Sequence, residues 1–317
     1  MVNEPQNAPS AALGHEEYVE QAHFFRALAE RLAGNVPAQE VLAAVREEVL
    51  ATTKLPLAID FLLGELRHAG VLGPAMALLP HYFTPFQAFV IQESENEKLR
   101  FDFRVGLKIL RSEAEYRAGA PTTPGIFLFQ FEALCRNRLG YDRGLEAVAR
   151  DPAYDKTWRD WIRKVRRQIG MVDIADLIYV HSEYYWLRQG STNPGESGQF
   201  GRDENWIAPT GPPSASEESL ALAREEAVVL FGEREGRIAL ANRRKDPLFL
   251  LSSLQRQLGY PAVPRQRAAD KEHALLPQLA RRLEQLEMRL KIIEEEQRGG
   301  LDLSQFYERP TENPPRP

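Results

Sequence analysis

His68–Gln92 reads HAGVLGPAMALLPHYFTPFQAFVIQ, twenty-five positions without one Asp, Glu, Lys or Arg in a chain that is 27% charged. A membrane-spanning helix needs about 20 apolar residues, so the length invites that reading. Gly70, Gly73, Pro74, Pro80 and Pro85 oppose it, because proline removes a helical donor and clashes with the preceding turn. The alternative is a buried helix–turn–helix corner with flanking helices packed over it. Thr84-Pro85-Phe86-Gln87 fits the exit of such a corner. Thr84 is a good N-cap, Pro85 is preset for the first helical position, and Gln87 can return the hydrogen bond of a capping box.

Upstream of the corner the apolar spacing is helical. Tyr18, Phe25, Leu28, Ala29 and Leu32 share a face and Gly34 closes the run. Ala38, Val41, Leu42, Val45 and Val49 repeat the pattern, and Ile59, Leu62, Leu63 and Leu66 lead into the corner. Downstream, Thr84 to Arg117 reads as one long helix, roughly 50 Å at 1.5 Å per residue. Thr123-Pro124 and Asp151-Pro152 each look like a cap followed by proline, the second opening a stripe of Tyr154, Trp158, Trp161, Ile162, Val165 and Ile169. Val172–Gln189 is apolar nearly all round, the signature of an inner helix. Leu139–Trp158 resembles half of a tetratricopeptide unit, but the pattern recurs nowhere else and reads as an ordinary helical hairpin.

Composition changes at Gly190–Ser219, which is too rich in Gly, Pro and Ser to order itself. Beyond it, Ser214–Glu217 offers a capping box for a helix through Leu230 and Phe231, and Asp246-Pro247 opens a helix that Gly259 closes. The expectation is therefore an all-α protein. An irregular helical bundle or array covers 15–190, a flexible linker 191–215, and a helical arm 216–298, with disordered tails at 1–14 and 299–317. Within the arm, 277–297 is coiled-coil-like. Leu279, Leu283, Leu286, Leu290 and Ile293 follow heptad spacing, and the g and e charges favour parallel pairing.

Bulk chemistry narrows the functional classes. Net charge −5 and a pI near 5.8 give no global attraction to nucleic acid or anionic membrane. One cysteine, Cys135, rules out an intrachain disulfide framework and suits a reducing compartment. Met1–Gly14 has neither a basic start nor an apolar core, so a cytoplasmic location is expected. Dinucleotide, Walker, HExxH, CxxC and nucleophile-elbow motifs are missing, and no cofactor is implied.

Three constellations carry chemistry. Glu93 and Glu97 lie one turn apart in line with an apolar stripe, the way helical bundles present metal-binding carboxylates. The neighbouring Ser94-Glu95-Asn96 makes a helix protruding from its bundle the plainer reading. His181, with Asp176 and Glu183 nearby in sequence, supplies the raw material of general acid–base work, and equally of a satisfied core histidine. Lys156, Arg159, Arg163, Arg166 and Arg167 form a basic stripe that could track phosphates. Asp155 and Asp160 dilute it and no exposed aromatics interleave it, so nucleic acid is disfavoured. Taken together the sequence leans away from an enzyme, towards an interaction or scaffolding module whose arm engages a protein partner or a second copy. A helical enzyme or small-ligand protein using His181, and phosphate binding by the basic helix, are the alternatives.

Overall fold

The computed structural model describes residues 13–34, 36–96, 101–190 and 228–266. These residues form thirteen helices and no strand, with two isolated backbone bridges, so the protein is all-α. They are α1 (His15–Leu32), α2 (Ala38–Glu48), α3 (Leu55–Ala69), α4 (Gly73–Ala77), α5 (Pro85–Glu95), α6 (Phe103–Ala118) and α7 (Thr123–Asn137). Then follow α8 (Tyr141–Ala149), α9 (Lys156–Gln168), α10 (Ile174–Val180), α11 (Glu183–Gly190), α12 (Glu233–Ala241) and α13 (Pro247–Leu258). All belong to one compact unit, Met1–Arg265. The linker 191–215 and the heptad leucines Leu279, Leu283, Leu286, Leu290 and Ile293 lie outside the described residues. None of the described helices is long and apolar enough to cross a membrane.

The corner forms as its residues dictate. Gly70 ends α3 at φ 72°, a left-handed position that glycine reaches without strain. Gly73 then lets α4 approach α5 closely, because a Cβ there would meet the Gln92 backbone nitrogen at 2.8 Å. Glu95 clamps the α4 start, its carboxylate accepting from the Leu72 and Gly73 amides at 2.5 and 2.9 Å. The Thr84–Gln87 capping box is present, and Gln87 also donates to buried Gln21 of α1 at 2.8 Å. Leu72, Met76, Tyr82, Phe83, Phe86 and Val90 go into the core, whereas Pro80 and His81 stay exposed.

Elsewhere the elements depart from the simple reading. The long helix expected from Thr84 to Arg117 is two, α5 and α6. Asn96 is already extended, and Asp102 caps α6 by accepting from Arg104 N at 2.7 Å. Glu93 therefore does not protrude; it is buried. Asp151 does not open a helix. Asp155 does, accepting from Trp158 N at 2.8 Å, and the Asp151 carboxylate is used inside the protein. The inner helix expected over Val172–Gln189 breaks at His181–Ser182. There an incoming segment competes for the backbone: Leu230 and Phe231 both donate to the His181 carbonyl, and Glu183 N donates to Phe231 O at 2.9 Å.

That segment and the described residues after it pack on the same core as the helices before 190. Leu230 and Phe231, expected to be helical, are not, Phe231 forming an isolated bridge with Ser182, and the Phe231 ring lies 5.4 Å from Trp158 and 5.2 Å from Trp161. Of the arm expected over 216–298, the described residues 228–266 contribute Phe231, Ala239, Tyr260 and Val263 to the main core. Leu250, Leu251 and Leu254 of α13 are buried against it, and Gly259 closes α13 at φ 69°. Buried Glu132 on α7 accepts from the Tyr260 hydroxyl at 2.8 Å, and Asn137 donates to Pro264 O at 3.0 Å.

The Tyr260 hydroxyl also lies 3.0 Å from Leu251 O, so its single proton is shared between that carbonyl and Glu132, and Tyr260→Phe removes it from both. Its expected cost is about 1–3 kcal/mol in urea unfolding. A change below about 0.5 kcal/mol, the range of neutral surface substitutions, would show that the hydroxyl does not hold this segment.

Candidate functional site

Two features stand out, one interior and one open to solvent, and they share a wall. The interior one centres on Arg117 of α6. Its guanidinium Nη2 lies 2.9 Å from Glu113 and 2.5 Å from Asp151, and all three side chains are at most 3% exposed. Gln130 of α7 donates to both carboxylates, at 2.7 and 2.9 Å, and Tyr154 donates to Gln130 Oε1 at 2.7 Å. The Tyr18 ring of α1 sits 5.9 Å from the Arg117 guanidinium carbon, within cation–π range. Asp151 further accepts from Ala153 N at 3.0 Å, which shapes the turn between α8 and α9.

Two acids and one arginine leave an excess of acid. Burial raises the Glu113 pKa above the usual carboxylate range; Arg117 opposes that shift and Asp151 adds to it. Glu113 Oε2 has no hydrogen-bond partner, so no donor stabilises negative charge on that oxygen.

On the far side of the Asp151 turn lies a solvent-open cleft of about 820 Å³. One wall comes from the corner: Ala77, Pro80, His81, Phe83, Pro85 and Phe89. The other comes from α8, α9 and their turn, and carries Arg143, Arg150, Arg159, Arg163 and Arg166. Asp142 and Glu146 are the two acids in the lining.

The five arginines are not equivalent. Arg166 is held by Asp142 at 2.7 Å and Glu146 at 2.5 Å, and the Arg166 hydrogen bond pulls the Asp142 pKa down. Arg143 lies 3.2 Å from buried Glu93 and 6.0 Å from the Phe89 centroid. Arg150 shares Glu146 at 3.2 Å and is exposed, while Arg163 sits 3.6 Å from Asp160. Arg159 has no ion pair or hydrogen bond for its guanidinium among the described residues, and its Nε is buried. Three members of the basic stripe read from sequence thus reach the cleft, whereas Lys156 and Arg167 are exposed and do not line it.

The other two constellations do not assemble. His181 is half-buried, its Nδ1 is 2.8 Å from Leu177 O, and its ring lies edge-on to Trp161. Burial lowers its pKa, and Lys164 pushes the same way. Asp176 instead pairs with Arg243, and Glu183 is exposed. Glu93 serves Arg143, and Glu97 lies outside the described residues. Among the described residues no group of three His, Cys, Asp or Glu could hold a metal. Cys135 is a half-buried free cysteine, and burial pushes its thiol up to about 11, so it is a poor nucleophile at neutral pH. Sequence reasoning missed Glu113, Arg117 and Asp151. The i, i+4 spacing of Glu113 and Arg117 was the available signal, although it usually marks a surface pair. No known protein family, curated protein or solved structure matches the chain.

The raised Glu113 pKa has a definite sign in stability. A carboxyl whose folded pKa exceeds its unfolded value contributes stability below the unfolded pKa and loses it as pH rises through the folded one. Arg117, Asp151, Tyr18 and Tyr154 are the charged and titratable groups that bear on this cluster. Acidification from neutral towards the ordinary glutamate range should therefore stabilise the wild type relative to Glu113→Gln, read as the difference between their unfolding free energies. A difference that is flat with pH, or that grows as pH rises, would contradict the assignment.

Proposed function

We propose that this protein is a binding module for a phosphate-bearing anion, and that the cleft between the corner and the α8–α9 hairpin is its site. The carrying observation is Arg159: a guanidinium lines an open cleft, with a buried Nε and no acidic partner among the described residues. A buried N–H left without an acceptor is costly, and an anion in the cleft would bring an acceptor and a counter-charge together. Guanidinium groups suit phosphate because their planar forks offer parallel donors. Arg150 and Arg163, weakly paired and exposed, flank it. With five arginines against two acids in the lining, the cleft is basic on a protein of net charge −5. Such a local field concentrates anions without making the whole surface attractive to them.

Binding, not turnover, is the simpler reading of these groups. The cleft holds donors and apolar surface, and its two acids are already engaged by Arg150 and Arg166. The interaction-module reading rests on heptad leucines outside the described residues and draws no support from this geometry.

Calorimetric titration of the full chain with sodium pyrophosphate, at low and moderate ionic strength, tests the proposal. Saturable, salt-sensitive binding is expected, weakened about ten-fold or more by Arg159→Gln through loss of one charge-assisted contact. Lys156→Gln with Arg167→Gln, which removes two charges of the same helix outside the cleft, should change affinity by no more than about three-fold, the size of a screened distant charge. Absence of saturable binding, or equal loss in both variants, would overturn the proposal.

A further inference from the structure

The two walls of the cleft differ in kind, and that difference bears on what else the ligand carries. The corner wall contributes no Asp, Glu, Lys or Arg to the lining, which follows from the uncharged run His68–Gln92. All five arginines stand on the opposite wall. On the corner side Ala77, Pro80 and His81 are exposed, with Pro85 half-buried beside them. A free inorganic anion would use only one wall. An uncharged surface that exposes Ala77 and Pro80 alongside the imidazole of His81, with Gln92 at its edge, faces a row of guanidinium groups and fits a molecule with one charged end and one apolar body.

Size limits the choice further. A cleft of about 820 Å³ falls in the range of small-molecule sites, roughly 300–1,000 Å³. A nucleic-acid strand would need a basic track that continues beyond the cleft. Lys156 and Arg167 do not line the cleft, and Asp142, Glu146 and Asp160 lie among or beside its arginines.

The arginines divide the labour. Arg143 and Arg166 are held by Glu93 and by Asp142 and Glu146, so they frame the wall. Arg159 has no partner among the described residues, and Arg163 lies one helical turn further along the same face. Arg150 approaches from the turn that Asp151 anchors. We infer that the ligand is a small soluble phosphomonoester with an apolar body, its phosphate gripped by Arg150, Arg159 and Arg163 and its body laid along Ala77, Pro80 and His81. The inference rests on the anion-binding reading and adds the second half of the ligand.

A ligand series with constant charge tests it: glycerol 3-phosphate, phenyl phosphate and 1-naphthyl phosphate, titrated into the full chain. Affinity should rise along the series, by about ten-fold or more from first to last, because each ring adds apolar area that leaves water. Ala77→Gln, a substitution at an exposed position of the corner wall, should flatten the series. Arg159→Gln should weaken all three ligands by a similar factor. If all three bind with one affinity, the apolar half is overturned while the anion site stands. If none binds, both readings fall. Binding of a ten-nucleotide single-stranded DNA more tightly than 1-naphthyl phosphate would overturn the small-molecule class.

Discussion

One guanidinium in the interior, that of Arg117, holds together pieces of the chain that no apolar stripe would place so specifically. It draws Glu113 of its own helix and Asp151 of a distant turn onto one centre, with Gln130 of α7 bridging the two acids. Tyr154 joins the entry to α9, and Tyr18 covers the cluster from α1. Hydrophobic burial is non-directional, so it can drive these helices together without choosing their register. A charged, hydrogen-bonded cluster has far fewer acceptable arrangements. It need not add net stability, since desolvating ions often costs as much as their attraction returns, but breaking it is costly.

The functional consequence lies one residue to either side. Arg150 and Pro152 line the cleft and flank Asp151, which is fully buried against Arg117. The same turn leads into α9, which carries Arg159 and Arg163. The position of the basic wall is thus set by an interior ion cluster, while the opposite wall is set by the corner, where Gly73, Glu95 and the Thr84–Gln87 box define the path. Both walls are held in place by contacts within the protein, the condition under which the proposed site would be formed before its ligand arrives.

How much of this could be read from the sequence follows from the range of each interaction. Helices with strong apolar periodicity were legible, as were helix ends written locally: the Thr84–Gln87 capping box, the Asp246-Pro247 start and the Gly259 stop. Interruptions imposed from a distance were not. The His181–Ser182 break needs the backbone of Leu230 and Phe231, roughly fifty residues on, and Asp151 looked like a cap because its partner lies on α6. The basic stripe on α9 was visible, but a stripe on one helix reads as a solvated face until a second wall is known. Nothing local says that Arg159 and Arg163 stand opposite an uncharged corner. Conversely, His181, Asp176 and Glu183 are near in sequence and part in space, because the helix carrying them is broken and Arg243 takes Asp176.

The central claim is that Arg159 is reserved for a ligand while Arg143 and Arg166 are committed to the protein. Arginine Nε–Hε resonances report this residue by residue, assigned through single Arg→Lys substitutions and followed during titration with phenyl phosphate. The account predicts that the Arg159 signal shifts most and saturably, with Arg163 and Arg150 following, while Arg143 and Arg166 hold their free positions. If Arg159 stays fixed while Arg143 or Arg166 moves, or if no arginine responds, the cleft is not the site described here.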